Sequence, residues 1–281
     1  MQQGKCFARR VLFLSWCLAL LLLLSAVAAP SAEKDPIDAL ADNSFLVEEA
    51  YNQEPGVVQH VFNAVYVKDS ARRGWTFNFT QEWPIFSEDH QFSYSIPSSR
   101  LRDEGQRQTG VGDVVLSYRY QLLEEGRIKP AVAPRFGLVL PTGDRDKGTG
   151  DGVVGYEWQI PISKKLSPRW ALHANAGGAY LPDARARLDS GLSPRRSLVS
   201  YSLGGSAVFA FSAWVHGLLE WVGNWEAGID DNGRKERVFQ SILSPGIRAA
   251  VIHEEKLQTV LGIGLPVGLN RAAENFGVFL Y

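Results

Sequence analysis

The chain has 281 residues, 45% of them hydrophobic, with 29 Lys and Arg against 30 Asp and Glu. This near balance of charge leaves no electrostatic footprint for nucleic acid. Beyond Ala29 no stretch approaches the roughly 18 consecutive apolar residues of a membrane-crossing helix, which excludes a helical membrane protein.

Lys5, Arg9 and Arg10 precede an almost wholly apolar run over 11–24, and the small residues Ser25, Ala26, Ala28 and Ala29 close it. That order predicts a secretory signal peptide over 1–29, cleaved after Ala28 or Ala29. Both cysteines, Cys6 and Cys17, fall inside it, so the chain beyond Ala29 has no thiol for a disulfide, a metal or nucleophilic catalysis. Residues 30–56, with Glu48, Glu49, Tyr51, Asn52 and Gln53, are expected to form a periplasmic tail or to fold inward as a partial plug. The tail is the default expectation, because chain ends without packing partners are commonly loose.

From Val57 onward the pattern has period two. Trp75, Phe77, Phe79, Trp83 and Ile85 alternate with Thr76, Asn78, Thr80 and Glu82; Phe92, Tyr94 and Ile96 alternate with Gln91, Ser93 and Ser95. Val114, Leu116, Tyr118 and Tyr120 oppose Asp113, Ser117 and Arg119, and Tyr156, Trp158, Ile160 and Ile162 oppose Glu157 and Gln159. Side chains on a strand point to opposite faces in turn, so this spacing suits strands and not helices. Weaker segments at 57–67, 130–141, 169–181, 198–210, 213–225, 238–251, 257–267 and 273–281 bring the total to about twelve strands of roughly ten residues, the length of a tilted membrane strand. The expected fold is all-β, a transmembrane antiparallel up-and-down β-barrel over 57–281 in the outer membrane of a Gram-negative bacterium. Short periplasmic turns alternate with external loops at 68–74, 97–110, 142–152, 182–197, 226–237 and 268–272.

Aromatic residues near strand ends suit the lipid interfaces. Trp75, Trp83, Trp158, Trp170, Tyr180 and Trp221 are the candidates for such a girdle, and outer-membrane lipid or lipopolysaccharide is the implied neighbour. Phe279 and Tyr281 share a parity with Asn275 and Gly277, which marks them as a terminal-strand signal for the barrel-assembly machinery.

Charges on the parity opposite the large apolar groups are expected to face water inside, since a charge facing lipid near midplane costs about 2 to 4 kcal/mol. Asp113, Arg119, Arg135, Glu157, Gln159, His173, Asn175 and Glu220 are therefore candidate pore-lining residues. Either they bias what passes through an open lumen, or the arginines pair with Asp113, Glu157 and Glu220 to close it. An enzyme reading would join His173 and Asn175 to a serine from a neighbouring strand, but no serine motif accompanies them. Asp144, Asp146 and Asp151 in a Gly-rich loop do not keep the spacing of a calcium loop. No catalytic residue, metal or cofactor is assigned.

The stretches from Gly112-Asp113-Val114 to Arg119-Tyr120, Gly137-Leu138-Val139-Leu140-Pro141-Thr142-Gly143-Asp144, His173-Ala174-Asn175-Ala176-Gly177 and Asn275-Phe276-Gly277 resemble the family named Putative MetA-pathway of phenol degradation. The resemblance implies an outer-membrane transporter or channel for small, aromatic or hydrophobic, solutes.

Overall fold

The computed structural model describes residues 35–40, 44–68, 72–103, 106–185, 194–254, 257–273 and 275–281. The expected signal peptide lies outside them. Among the described residues, twelve antiparallel strands succeed one another in the chain. They are β1 (Gln59–Lys68), β2 (Arg72–Ile85), β3 (Ser87–Asp103), β4 (Gln106–Val111 and Val114–Tyr120), β5 (Ala131–Val132 and Arg135–Leu140) and β6 (Gly155–Ser167). Then come β7 (Trp170–Arg185), β8 (Arg195–Ser212), β9 (Val215–Ile229), β10 (Lys235–Glu254), β11 (Leu257–Gly264 and Val267–Gly268) and β12 (Phe276–Leu280). Each pairs with its neighbours in sequence, and β1 pairs with β12 from Ala64↔Leu280 to Lys68↔Phe276, so the sheet closes on itself.

Several strands outrun the expected ten residues, up to the 20 of β10. The expected loop 97–110 is largely ladder, paired from Ser98↔Val111 to Asp103↔Gln106, and the expected loop 226–237 is paired from Glu226↔Val238 to Ile229↔Lys235. The side chains there are polar and read as loop, but an antiparallel ladder satisfies its own backbone and can continue into water past the bilayer.

The two faces of the wall differ in kind. Phe62, Phe77, Tyr118, Phe136, Tyr156, Leu203 and Leu261 are exposed on one parity, whereas Arg119, Ser163, His173, His216, Glu220 and Arg248 are buried on the other. This is the reverse of a water-soluble sheet and is the arrangement of a barrel whose solvent outside is lipid.

Part of the interior is filled by the segment that precedes β1. It starts beside the short turns, where the Ile37 N–H donates to the Pro168 carbonyl and Lys165 pairs with Asp38 at 2.6 Å. It returns to the same end, where Asn52 Nδ2 donates to the Glu88 carbonyl at 2.9 Å, and then feeds β1. Residues 44–53 therefore lie inside the barrel rather than in a periplasmic tail. Their backbone and side-chain polar groups find partners on the inward parity, which a tail would leave to water. Phe45 anchors them against Phe279 and Tyr281, with ring centroids 5.1 and 5.6 Å away. Gly246, Gly262 and Gly264 make room for it: a Cβ on Gly262 would come within 2.5 Å of the ring.

The face assignment predicts that Leu203→Arg, on the exposed parity of β8, lowers stability by about 2 to 4 kcal/mol in vesicles. Denaturant unfolding in lipid measures it, and a change near zero contradicts the assignment.

Candidate functional site

Antiparallel pairing places Arg119 on β4 opposite Arg135 on β5, and Arg135 opposite Gln159 on β6, all pointing inward. Like charges directly opposite on neighbouring strands repel, so this pair needs a shared counter-charge. Glu48 supplies it. Its Oε1 lies 3.1 Å from Arg119 Nη1 and its Oε2 lies 3.2 Å from Arg135 Nε, while Glu157 holds Arg135 Nη2 at 3.2 Å. The missing side chain of Gly137 leaves space for Glu157 beside it.

Arg119 is only 2% exposed. Besides Glu48 it donates to Asn52 Oδ1 (2.8 Å), to the Glu49 carbonyl (3.2 Å) and to the Tyr51 carbonyl (2.8 Å), with Glu82 at 4.0 Å. A buried guanidinium is tolerable only when its fork of donors is met in this way. The candidate pore residues thus bind the N-terminal segment more than one another. Glu220 Oε1 accepts the N–H groups of Leu46 (2.9 Å) and Val47 (3.1 Å). Asn175, with its amide oriented to suit its neighbours, accepts the Glu48 N–H at 2.7 Å and donates to the Glu48 carbonyl at 2.8 Å.

A second cluster joins Ser163, His173, Glu49 and Arg248. Ser163 Oγ accepts the Ala50 N–H (2.8 Å) and lies 2.8 Å from His173 Nδ1, whose Nε2 is 3.6 Å from Glu49 Oε1; Arg248 reaches the same oxygen at 3.5 Å. The residue types are those of an acyl-transfer triad. Ser163 has no exposed surface and its oxygen is engaged by the backbone, so in this arrangement the trio tethers the segment.

Asp113 stands apart from this network. Its oxygens accept the N–H groups of Gly143 and Asp151, both at 2.8 Å, while Thr142 Oγ1 accepts the Val114 N–H and donates to the Gly112 carbonyl. It anchors the loop between β5 and β6, which packs onto Gly110 and Gly112 through Thr149. Asp113 therefore pairs with neither Arg119 nor Arg135, contrary to one of the sequence alternatives: the loop backbone has taken both its oxygens. Burial, and then the Asp113 carboxylate nearby, push the Asp151 carboxyl above its usual range, so the loop is relieved of charge repulsion as pH falls.

Trp75, Trp83, Trp158, Trp170, Tyr180 and Trp221 all lie on the outward parity. Trp75 packs on Tyr66 at 5.2 Å, Trp83 meets Phe92 edge-on at 5.2 Å, and Trp170 packs on Phe209 at 4.8 Å. Trp170 opens β7, Tyr180 lies toward its other end beside Tyr156, and Trp158 covers Gly178. Trp221 falls mid-strand and donates to Ser241. Phe279 and Tyr281 face inward, where they hold Phe45.

Two of the stretches that resemble a known family meet here in space: Gly112-Asp113-Val114 clasps Pro141-Thr142-Gly143-Asp144. The family model described as Putative MetA-pathway of phenol degradation matches residues 56–276. The chain belongs to this family. Among solved structures it is similar to the COG4313 outer membrane channel from Pseudomonas putida F1, at 16% identity over 82% of this chain and 96% of that one, with a TM-score of 0.66. It is also similar to the NanC porin, at 9% identity over 79% of this chain and 98% of that one, with a TM-score of 0.50. These likenesses show the shared barrel fold. None of the curated proteins matches the sequence.

Glu82, Ser163, His216 and Arg248, which are not among the candidates drawn from the sequence, belong to the same interior; each sits on the inward parity. Parity could have found Glu82, since it alternates with Trp83. The bulge between Ala250 and Ile252 breaks the count that leads back to Arg248 from the end of β10.

At the mouth of this interior Glu125 ties three elements together. It accepts from Lys164 Nζ (2.6 Å), from the Lys165 N–H (2.7 Å) and from Tyr51 Oη (2.8 Å). Burial raises its pKa, but these hydrogen bonds outweigh it and hold the carboxyl below its usual range. A depressed acid contributes stability that is present above the unfolded pKa and lost as pH falls through the folded one. The unfolding midpoint is expected to drop between about pH 5 and about pH 3, and less steeply in Glu125→Gln. Equal slopes in pH-dependent denaturant titrations contradict this role for Glu125.

Proposed function

We propose that this protein is an outer-membrane channel that passes small molecules, aromatic or hydrophobic ones among them, by diffusion through the barrel interior. It carries no catalytic chemistry in this reading. Residues 44–53 restrict the passage in the half nearest the short turns. The observation that carries the proposal is the inverted wall: apolar outside, with charged groups such as Arg119, Glu220 and Arg248 buried inside a closed sheet. A barrel that served only as a surface scaffold could fill its centre with packed apolar side chains, at no cost in buried charge. Here the filling segment carries Glu48, Glu49 and Asn52 among its apolar residues and is held by hydrogen bonds and ion pairs to side chains of the wall. The barrel likeness to an outer membrane channel and a porin, together with the family, supports the same reading.

One observation favours the rival reading of a sealed barrel, namely that Val47, Glu49 and Ala50 are buried in the lumen. Single-channel recording in planar bilayers separates the two. The full-length protein should give discrete current steps, and their absence under all voltages and salts sinks the channel reading. Phe45→Ala removes the ring that seats the segment, weakening that seat by as much as roughly 3 to 5 kcal/mol. Open time should lengthen accordingly, and unchanged open time would show that the segment does not limit conduction.

A further inference from the structure

We infer that the Arg119–Arg135 pair is a binding site for the carboxylate of a small organic acid, and that Glu48 occupies it as a built-in competitor. The two arginines are direct cross-strand partners, an arrangement that repulsion disfavours unless an anion sits between them. The anion present is a carboxylate placed to bridge them, with one oxygen toward each guanidinium at 3.1 and 3.2 Å. Planar guanidinium groups match carboxylates by this geometry.

Glu48 is an imperfect occupant. Among the described residues Arg135 Nε, though close to Glu48 Oε2, makes no hydrogen bond, and Gln159 Oε1 beside it has no partner either. A carboxylate held by its backbone, as Glu48 is by Asn175, cannot rotate to meet every donor. A free one can. On the same row the Gln159 amide lies over Gly177, which presents no side chain: a Cβ there would stand 2.6 Å from Gln159 Oε1.

The charge balance points the same way. Glu82 and Glu157 also face the pair, at 4.0 Å from Arg119 and 3.2 Å from Arg135, so the two arginines remain partly compensated when Glu48 leaves. Arg119 nevertheless donates four hydrogen bonds to residues 48–52 and loses them together if the segment withdraws. An acidic solute supplies a replacement at that moment. Solute and segment are then mutually exclusive ligands of one site, which by linkage makes a carboxylate solute an opener of its own path. The opening role rests on the channel reading; the binding site does not.

Propionate is the free counterpart of the Glu48 side chain and propionamide its neutral isostere, so calorimetry on the full-length protein in detergent tests the site directly. Propionate should bind Glu48→Ala at least about tenfold more tightly than the unmodified protein, and propionamide should not compete. Adding Arg135→Gln to Glu48→Ala should abolish binding, with heat-modifiable gel mobility showing that the barrel has closed. Equal propionate affinity with and without Glu48, or equal binding of propionamide, overturns the proposal even if the Arg135 variant fails to fold. In bilayers, propionate but not propionamide should raise the open fraction of the unmodified protein. Binding without any current in any variant would sink the channel reading and leave the site standing; current without binding would do the reverse.

Discussion

Charge withdrawn from water has to be compensated nearby, and this constraint organises the interior. The inward row across β4, β5 and β6 places Arg119, Arg135 and Gln159 side by side, and β-sheet geometry brings such neighbours within contact range. Two guanidinium groups in that position need an anion. Nearby inward residues supply Glu82 and Glu157, and the preceding segment supplies Glu48. The path of residues 44–53 is set by where the unmet donors and acceptors are. Glu220 takes two of their N–H groups, Ser163 a third, and Asn175 engages both the N–H and the carbonyl of Glu48.

The same rule works with opposite sign at the other end of the barrel. Asp113 is an inward carboxylate in the break between the two parts of β4, and its oxygens are met by backbone N–H groups of the β5–β6 loop and not by arginine. Gly143 and Gly150 let that loop come close: a Cβ on Gly143 would lie 2.6 Å from the Thr149 carbonyl oxygen. Thus one strand carries both attachments, a cation near the short turns that holds the N-terminal segment and an anion near the loops that holds a loop.

Much of this is legible in the residues alone, because lipid outside and polar groups inside impose an alternation that survives in single strands. The twelve strands, their order and the sides on which Trp83 and Arg119 stand all come from counting by two. What parity cannot convey is which inward group meets which. Glu48 lies 71 residues from Arg119, and Leu46 lies 174 from Glu220, so nothing local in the sequence announces either contact. The segment over 44–53 has no periodicity of its own, since it forms neither helix nor strand, and its polar residues read as a solvated tail. Strand ends mislead for a related reason: a ladder leaving the membrane keeps its hydrogen bonds but loses the apolar alternation that announces it, as at Ser98 to Asp103.

The manner in which the segment is held bears on whether it can leave. It begins beside Pro168 and ends beside Glu88, both at the short-turn end, so it can withdraw as a loop without threading its chain through the wall. Its largest apolar anchor is the ring of Phe45, seated over glycines of β10 and β11 that carry no side chain to interlock with it, with the smaller Val47 and Ala50 also buried. Most of its other attachments are hydrogen bonds and ion pairs, whose net worth against water is small for each contact because water replaces them on release. A plug built from interdigitated leucines would resist hydration, whereas this one exchanges polar partners for solvent or for a solute bearing the same groups. A polar interior that is full is for that reason not equivalent to one that is sealed.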